Sequence, residues 1–439
     1  MQQIALSIIK KLQAAGFVAY LAGGFVRDKL MKKQPDDFDI ATSAKPSQIE
    51  KLMPKTISVG KEFGVIIAIV KGHSFEIATF RSDAGYSDGR RPDAVYYAKP
   101  ANDAQRRDFT INGMFYDPTK KKVIDFVGGQ KDLKKKIVRF IGDPNKRIKE
   151  DHLRLLRAIR FKNVLGFKYH PKAWLAVKKH AKLIRTVSGE RIKQELDKIL
   201  ASPNRAKAIL DLQKSGILAQ ILPEVIKMIG VAQPYQFHGR ADVFKHTIKC
   251  VAQLPEEVSR ELAWAALLHD LGKPATFRRA DRIRFTRHVQ KSVEISKKIL
   301  KRLHFSRKES EKILWLVKYH HLLQSYDDMK LSTRRKWLLD PFFPDLLELA
   351  KADTEATPAI RWFKEYKKIK AAMGAAHKKF PKIPKLISGK EVMKWCKIEE
   401  GPMVGKILAK VKEAQLAGKL KTKTEARNYV KKIKVSNIR

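Results

Sequence analysis

The sequence predicts an α/β head followed by an extended, all-helical body. Residues 17–126 alternate short β-like runs with turns rich in Gly, Pro, Asp and Ser, a pattern typical of sheet strands. After about residue 128 the apolar residues recur at helical spacing through to the end of the chain. A length of 439 residues, 44% of them hydrophobic, provides a core for about two to four domains.

The first predicted element is an amphipathic N-terminal helix, because no cleavage site of a targeting segment follows it. The predicted strands of the head are Val18–Ala22, Phe38–Ala41, Gly64–Val70, Ser74–Phe80 and Val95–Ala98. Break points near residues 117–118, 201–203 and 378–385 predict four domains. They are an α/β head (1–118), a helical neck (119–200), a helical body (201–376) and a basic tail (377–439). The charge of the tail favours contact with a polyanion over a solvated surface.

The chain carries a large excess of positive charge. It has 92 Lys and Arg against 45 Asp and Glu, a formal net charge of +47. Positive charges in such excess repel one another and destabilise the folded chain unless negative charge lies near them. The phosphates of a nucleic acid would supply that negative charge. The alternative is a generally lysine-rich proteome. An anionic membrane is less favoured, and no apolar run approaches the ~20 residues of a transmembrane helix.

Two cysteines, Cys250 and Cys396, lie far apart in the sequence. They form no disulfide framework, which indicates a reducing, cytoplasmic location. Nothing in the sequence implies a stable protein partner.

The segment Leu21–Asp28 reads as a strand, a glycine pair and the start of a helix. Gly23 and Gly24 would let backbone N–H groups approach a phosphate at the helix N-terminus. Ordinary tight turns use the same residues, so this segment alone does not distinguish a phosphate-binding turn from a structural one.

Three carboxylates of the head could form one metal site. Within Asp36–Thr42, Asp37 and Asp39 are two residues apart on a predicted strand, so both would project from one face. Mg²⁺ would neutralise the pair, whereas the alternative is two surface acids. Glu76 could join them from a neighbouring strand or face solvent. Three carboxylates around two metal ions suit in-line displacement at phosphorus.

A helix predicted near residue 150 carries an acid and a series of arginines. Asp151, Arg154, Arg157 and Arg160 recur every three residues and would share one helical face. An acid and an arginine together can read the Watson–Crick edge of a base. The alternative is an ordinary helical salt bridge between Asp151 and Arg154.

A second constellation lies in residues 242–353. His246, the adjacent pair His269–Asp270, and Asp353 form a nitrogen and oxygen ligand set for a divalent transition metal. His288 and His320 lie between them in the sequence. These residues resemble the HD phosphohydrolase superfamily, whose metal-ligand pattern the first four match. The site could be active on phosphate esters or could be retained for structure.

The head and neck resemble the polymerase-β-like nucleotidyltransferases, and more narrowly the class II tRNA nucleotidyltransferases and bacterial poly(A) polymerases. The matching segments are Gly23–Asp28, Asp37–Thr42, Arg106–Met114, Asp125–Leu133, Glu150–Phe161 and Ser188–Arg191. They run in family order over about residues 17–200. His152 departs from the family, which usually has proline there; this changes the start of the helix.

The resemblance implies template-independent addition of CMP and AMP to the 3′ end of tRNA, from CTP and ATP, with release of pyrophosphate. It implies Mg²⁺ on Asp37 and Asp39 with Glu76 as a third carboxylate. The implied nucleotide-binding residues are Gly23, Gly24, Arg27, Arg107, Asp108, Asp151, Arg154, Arg157 and Arg160. Of these, Asp108 would check for the 2′-hydroxyl.

Several other functions share these motifs. The loop Arg81–Pro92 resembles one that accompanies the switch from C to A addition, which favours complete CCA addition. A poly(A) polymerase or an A-only enzyme remains open, as does an HD phosphohydrolase acting on RNA ends. A non-catalytic RNA-binding protein is least favoured, since it would need neither the carboxylates nor the nucleotide helix.

Overall fold

The computed structural model describes residues 1–35, 37–58, 60–86, 88–239, 241–357, 363–379 and 385–432. Asp36, Ser87 and parts of the predicted tail (380–384 and 433–439) therefore lie outside the described residues. The chain folds into two compact units. The first comprises Met1–Ile226 with Lys301–Phe305, and the second comprises Lys227–Leu300 with Ser306–Arg439.

The first unit begins with the elements of the head. They are α1 (Gln2–Ala14), β1 (Ala19–Ala22), α2 (Gly24–Leu30), β2 (Ile40–Thr42), α3 (Pro46–Leu52), β3 (Thr56–Ile57), β4 (Val65–Val70), β5 (His73–Thr79), β6 (Arg81–Ala84), β7 (Ala94–Tyr97), α4 (Pro100–Arg106), β8 (Phe115–Asp117) and β9 (Lys122–Ile124). The predicted N-terminal helix is confirmed, and its apolar stripe is buried. The five predicted strands are also present, with ends shifted by one or two residues.

Seven strands of the head form one mixed sheet in the order β3-β4-β5-β2-β1-β8-β9. Strands β2 and β5 pair in parallel, and the other neighbours are antiparallel. Alternation along β5 buries Phe75 and Ile77 and leaves Glu76 exposed. On one face Phe80 and Phe115 pack edge to face and are fully buried. These two rings therefore form part of the core on which the sheet rests.

The remaining elements of the first unit are mostly helical. They are α5 (Gly129–Lys135), β10 (Ile137–Val138), α6 (Pro144–Glu150), α7 (Arg154–Leu165), β11 (Lys168–Tyr169), α8 (Pro171–Lys179), α9 (Gly189–Leu200), α10 (Arg205–Lys214), α11 (Ile217–Ile221) and α12 (Pro223–Ile226). The short strands β10 and β11 pair in parallel and interrupt the predicted run of helices. Helix α7 packs against α9 and α10, which makes it the centre of this helical layer.

The second unit is helical apart from one short hairpin. Its elements are α13 (Tyr235–His238), α14 (Val243–Gln253), α15 (Arg260–Leu268), α16 (Lys273–Thr276), β12 (Phe277–Arg279), β13 (Ile283–Phe285), α17 (His288–Arg302), α18 (Arg307–Tyr319), α19 (Leu331–Leu338), α20 (Phe343–Glu355), α21 (Phe363–Lys379), α22 (Gly389–Cys396), α23 (Pro402–Leu416) and α24 (Lys423–Lys432). The division between units falls within α17, whose last two residues belong to the first.

The described part of the predicted tail is folded. Helices α22 to α24 enclose an apolar cluster that includes Val392, Ile407 and Val430, and α23 packs on α19. Its excess of lysine is therefore displayed on a structured surface. Throughout the described residues, no helix combines the length and apolar character needed to cross a bilayer.

Gly129 provides a test of the packing between head and neck. A Cβ at this position would collide with the carbonyl oxygen of Thr110 and lie 2.7 Å from Cγ of Met114. Because both atoms lie in well-packed segments, Gly129→Ala should lower the free energy of unfolding of the first unit by about 1–3 kcal/mol. Urea unfolding measures the change. The matched control is Lys131→Ala on the exposed side of the same helix, expected within about 0.5 kcal/mol; equal effects would contradict this account.

Candidate functional site

The glycine pair lies at a strand-to-helix turn, as predicted. Gly23 follows β1 with a left-handed φ of +65° and caps α2. A Cβ there would lie 3.3 Å from Nη1 of Arg107 and 3.8 Å from Oδ2 of Asp39. The position thus favours glycine because its backbone is left-handed and because little room is left for a side chain. Arg27, one turn into α2, donates to Asp28 and to Oδ1 of Asn112 at 2.8 Å.

The expectation that Asp37 and Asp39 lie on a strand is wrong, because β2 begins only at Ile40. Leu21 is the last residue of β1 that pairs with β2, so the ladder ends before the acids are reached. The backbone of Asp39 is still held, since its carbonyl oxygen accepts from the N–H of Ala22 at 3.0 Å. Asp37 and Asp39 nevertheless line the same cleft.

The parallel register places Glu76 beside Asp39. Ile40 of β2 pairs with Ile77 of β5, so the residues immediately before them, Asp39 and Glu76, are neighbours across the ladder. Both line a cavity of about 210 Å³. Glu76 was expected either to join the aspartates or to face solvent. The structure places it beside Asp39, and its side chain remains accessible there.

The environment of these acids disfavours their negative charge. Burial raises the pKa of Asp39, with Arg107 opposing the rise and Asp37 adding to it. Glu76 is accessible from the cavity, but partial loss of solvent at its wall and the charge of Asp39 likewise raise its pKa. A bound cation would relieve this repulsion. An all-oxygen donor set of carboxylates fits Mg²⁺, which prefers hard oxygen ligands.

Asp108 is a buried junction between the head and α7. Its Oδ2 accepts from Nε of Arg157 at 2.7 Å, and its Oδ1 accepts from Asn112 and from the N–H of Phe109. Although burial raises it, the pKa of Asp108 is held below its ordinary value by Arg157 and Arg154. Asp108 is therefore an ionised carboxylate whose two oxygens both hold neighbouring groups in place.

The prediction that Asp151 shares a helical face with Arg154 is wrong. Asp151 lies in the turn after α6, and Arg154 is the first residue of α7. Asp151 accepts two hydrogen bonds from Nη2 of Arg191, at 3.1 and 3.2 Å, whereas Arg154 pairs with Glu150 at 2.9 Å. The break at His152 separates the two residues, so neither forms the ordinary helical salt bridge with the other among the described contacts.

Three arginines surround Phe161. The guanidinium carbons of Arg27, Arg157 and Arg160 lie 5.4, 5.3 and 4.3 Å from its ring centroid. Arg157 and Arg160 share one face of α7, as the spacing predicts, and Arg160 pairs with Glu195 at 3.0 Å. The ring supplies a face on which cationic groups are favourable.

These residues line one open cleft of about 440 Å³. It contains Gly23, Gly24, Arg27, Asp37, Asp39, Arg106, Arg107, Asp108, Asn112, Asp151, Arg154, Arg157, Arg160, Phe161 and Lys198. All nine predicted nucleotide-binding residues are present together with both aspartates. Glu76 lies in the adjoining 210 Å³ cavity, which shares Asp39, Arg106 and Arg107 with the cleft.

The sequence did not single out four of the lining residues. Arg106, Asn112 and Phe161 lie inside the matching segments, and their polar or aromatic character was the available signal. Lys198 has no such signal, because it enters the cleft only through the packing of α9 on α7. Burial lowers its pKa, and Arg160 contributes to the lowering.

The described part of the loop Arg81–Pro92 contacts the turn that carries Asp151. The N–H of His152 donates to the carbonyl oxygen of Gly89 at 3.1 Å, and the His152 ring also hydrogen-bonds to Oγ1 of Thr186. Gly89 has a left-handed φ of +64°, and a Cβ there would collide with the imidazole of His152. The residue that departs from the family is therefore the one against which this loop rests.

The predicted HD residues also lie together in the second unit. Nε2 of His246 lies 2.8 Å from Oδ1 of Asp353. Nε2 of His269 lies 3.3 Å from Oδ2 of Asp270 and 3.6 Å from Oδ1 of Asp353. Among the described residues, Nε2 of His269 and Oδ1 of Asp270 are buried without a hydrogen-bond partner. Buried nitrogen and oxygen atoms that lack a hydrogen-bond partner are suitable ligands for a divalent metal ion.

Family comparisons agree with the order of these parts. Residues 19–139 match the family described as Poly A polymerase head domain. Residues 166–229 match the probable RNA and SrmB-binding site of polymerase A, and residues 243–355 match the HD domain.

Individual relatives extend the comparison. The chain is 37% identical over 271 residues to CCA-adding enzymes of Geobacillus thermodenitrificans and Bacillus subtilis, covering 62% and 61% of this chain. The matches span 63% and 64% of those relatives, under two thirds of their length. The CCA-adding enzyme of Bacillus stearothermophilus in complex with CTP superposes with a TM-score of 0.74 at 26% identity, over 98% of this chain and 96% of that one.

The fold and the cleft define a nucleotidyltransferase-type head joined to a helical region and an HD domain. More narrowly, its three matching regions and its sequence relatives make the chain similar to CCA-adding enzymes and to polymerase A proteins. The Thermotoga maritima CCA-adding enzyme complexed with tRNA, at 20% identity and a TM-score of 0.56, shares the fold.

The charge of Asp108 should contribute to stability in a pH-dependent way. A carboxyl group whose pKa is lowered by folding stabilises the protein above its unfolded pKa, near 3.8, and loses this contribution as the pH falls through the folded value. Asp108→Asn should therefore cost about 3 kcal/mol at pH 7, and the difference from the unchanged chain should shrink toward pH 3. Urea denaturation across this range measures it; a difference independent of pH would show that the charge is not responsible.

Proposed function

We propose that this chain is a CCA-adding tRNA nucleotidyltransferase, transferring CMP and AMP from CTP and ATP to the 3′ end of tRNA. One observation carries the proposal: a single cleft contains both the carboxylates Asp37 and Asp39 and a set of arginines. Acids that can hold a cation are what a phosphoryl-transfer site needs, and arginines suit a triphosphate. The names of the sequence relatives support CCA addition in particular.

In this proposal Asp37, Asp39 and Glu76 bind Mg²⁺, which supplies Lewis-acid stabilisation of phosphate oxygens. Gly23 and Gly24 leave room for the triphosphate at the start of α2. Arg27 and Arg107 neutralise its charge. The 3′-hydroxyl oxygen of the RNA forms a bond to the α-phosphorus as the bond to pyrophosphate breaks, and the hydroxyl proton passes to water.

Base selection is proposed for the start of α7 and the turn before it. Asp151 offers acceptor oxygens and Arg154 offers donors, and both line the cleft although they do not share a helical face. Their partners Arg191 and Glu150 fix their positions, so the recognition geometry is set before a nucleotide binds. Because Asp108 already accepts from Arg157 and Asn112, a ribose 2′-hydroxyl would have to exchange with one of these bonds.

A second activity is proposed for the HD site, namely metal-dependent hydrolysis of phosphate esters on RNA ends. The specific observation is the β12–β13 hairpin next to the site. It exposes Arg278, Arg279, Arg282, Arg284 and, just beyond it, Arg287. Phe285 of the same hairpin packs on the ring of His288. An arginine-rich edge beside a metal site suits a phosphate ligand.

The remaining assignments follow from this function. We assign the catalytic head to 1–118, the neck to 119–200, the HD domain to 201–376 and an RNA-binding tail to 377–439. The acceptor arm of tRNA is the polyanion that would balance the net charge of +47. Two unpaired cysteines, one of them buried, accord with the reducing cytoplasm where tRNA is processed.

The decisive assay offers tRNA lacking its last three nucleotides, with Mg²⁺ and labelled CTP or ATP. Incorporation of both nucleotides, stopping after CCA, is expected. Asp37→Ala and Asp39→Ala should each reduce incorporation at least about 10³-fold, because several kcal/mol of metal stabilisation are lost. Glu76→Gln should raise the Mg²⁺ concentration required.

The matched control is Glu62→Ala, which removes an exposed acid of the same head and should leave incorporation unchanged. Long tails from ATP alone would identify a poly(A) polymerase instead. Addition of only the terminal A to tRNA ending in CC would identify an A-only enzyme. Full incorporation by Asp37→Ala would overturn the proposed carboxylate site.

The contact between Gly89 and His152 should affect addition of A more than addition of C. Gly89→Ala strains a left-handed backbone and displaces the loop from His152, which costs about 1–2 kcal/mol. We therefore expect about a 10-fold loss in the rate of A addition to tRNA ending in CC. C addition to the shorter tRNA should change less. Equal losses in both rates, measured by single-turnover assays, would contradict a role in the switch.

A further inference from the structure

A cavity of about 510 Å³ lies in the first unit, between the turn that follows β9 and the start of α8. It shares no lining residue with the cleft that contains the two aspartates. That cleft, proposed to take a nucleoside triphosphate, has a similar volume of about 440 Å³. The cavity can therefore admit a ligand of the size of one nucleotide, and the reaction proposed for the head does not use it.

One part of the lining is cationic. Strands β10 and β11 pair in parallel, with Val138 opposite Tyr169. The next residues along each strand, Arg139 and His170, are therefore neighbours across the ladder. Lys172 follows in the first turn of α8. Arg139, His170 and Lys172 all line the cavity.

An acid fixes the guanidinium of Arg139 without using all of its donors. Asp132 accepts from Nε of Arg139 at 2.8 Å and from Nη2 at 3.2 Å. This pair leaves Nη1 for another acceptor. The guanidinium is therefore held in one orientation and can still donate to a ligand.

The cations of this wall act on one another. Partial loss of solvent lowers the pKa of His170, and the charge of Arg139 lowers it further. Lys172 adds to the lowering, whereas Asp132 opposes it. Among the contacts of the described residues, Lys172 has no acidic partner. The negative charge of a phosphate would relieve this repulsion.

Another part of the lining is apolar. Phe126, in the turn after β9, is 45% exposed, and Val127 lines the cavity beside it. The buried residues Phe140 and Ile141 complete the apolar lining. An accessible aromatic ring near cations suits a nucleotide, because every base has a face that can stack on such a ring. Gln105 also lines the cavity, and its amide can donate to or accept from the edge of a base.

Backbone hydrogen bonds form the cavity before any ligand binds. The N–H of Thr110 donates to the carbonyl oxygen of Arg139 at 3.0 Å, and the N–H of Ile141 donates to that of Asp108 at 3.1 Å. These bonds hold the segment that carries Arg139 and Ile141 against the head. A ligand therefore meets a preformed wall, which lowers the cost of binding.

We propose that this cavity is a nucleotide-binding site separate from the cleft, which takes a phosphate on Arg139 and Lys172 and stacks the base on Phe126. A free nucleotide and a single nucleotide of an RNA chain present the same groups. The inference goes beyond the nucleotidyl transfer proposed for the head and does not rest on it, because it uses none of the cleft residues.

The test uses labelled AMP as the probe, with the full chain and without Mg²⁺. Equilibrium dialysis should detect an AMP site that Phe126→Ala weakens about 10-fold, because the stacking contact is lost. Lys172→Ala should also weaken this site about 10-fold, because a charge-assisted hydrogen bond to the phosphate is lost. Asp151→Ala, which alters the cleft, should leave the site unchanged.

Exposed residues outside the cavity provide matched controls. Tyr96→Ala removes an exposed aromatic ring of the head, and Lys179→Ala removes an exposed lysine from the last turn of α8. Both variants should bind AMP as the unchanged chain does. Circular dichroism and the urea midpoint of Phe126→Ala and Lys172→Ala should match those of the unchanged chain, which verifies that weaker binding does not reflect unfolding.

A second arm of the experiment adds tRNA that lacks its last three nucleotides. Displacement of AMP from this site would identify a nucleotide of RNA as the occupant, whereas retention would identify a free nucleotide; both results support the site. Absence of AMP binding, or binding that only Asp151→Ala weakens, would overturn the proposal. Equal competition by inorganic phosphate and by unlabelled AMP would also overturn it, because the base would then not be recognised. None of these results depends on nucleotide incorporation, so the proposal for the head would stand.

Discussion

The ion pair between the buried Asp108 and the partly exposed Arg157 connects the head sheet to the helix that lines the other side of the cleft. Asp108 follows the head helix α4, and Arg157 lies on the second turn of α7. Their contact is short and charge-assisted, and the carboxylate of Asp108 would be costly to leave buried alone. Asp108 also accepts a hydrogen bond from Asn112, and Asn112 accepts one from Arg27. Through these bonds, one carboxylate helps to position groups on both sides of the cleft.

The cleft arginines are positioned by acids before any ligand is present. The pairs are Arg27–Asp28, Arg107–Asp103, Arg154–Glu150, Arg157–Asp108 and Arg160–Glu195. In a chain with a net charge of +47, this pairing keeps several cations close together without unrelieved repulsion. The cations remain oriented toward the cleft, so little reorganisation is needed when an anionic ligand enters.

The two candidate metal sites differ in the chemistry of their donors. The head offers carboxylate oxygens beside arginines, in an open cleft that admits a large anion. The HD domain offers buried imidazoles and carboxylates, and backbone carbonyl oxygens accept from Nδ1 of His269 and of His320. Oxygen donors favour Mg²⁺, whereas imidazole donors favour transition metals. The donor sets of the two sites therefore favour different kinds of ion.

Glycine turns, apolar periodicity and ordered motifs are local signals, so the α/β head, the helical body and most residues of both candidate sites could be predicted from the sequence. It did not determine where the strand after Asp39 begins, or that Asp151 lies outside the helix of Arg154, since hydrogen bonding between segments sets those limits. Contacts between distant segments place Asp39 beside Glu76, bring Lys198 into the cleft and add His321 to the HD cluster. Those contacts depend on strand register and helix packing between residues distant in the chain, which local sequence patterns do not encode.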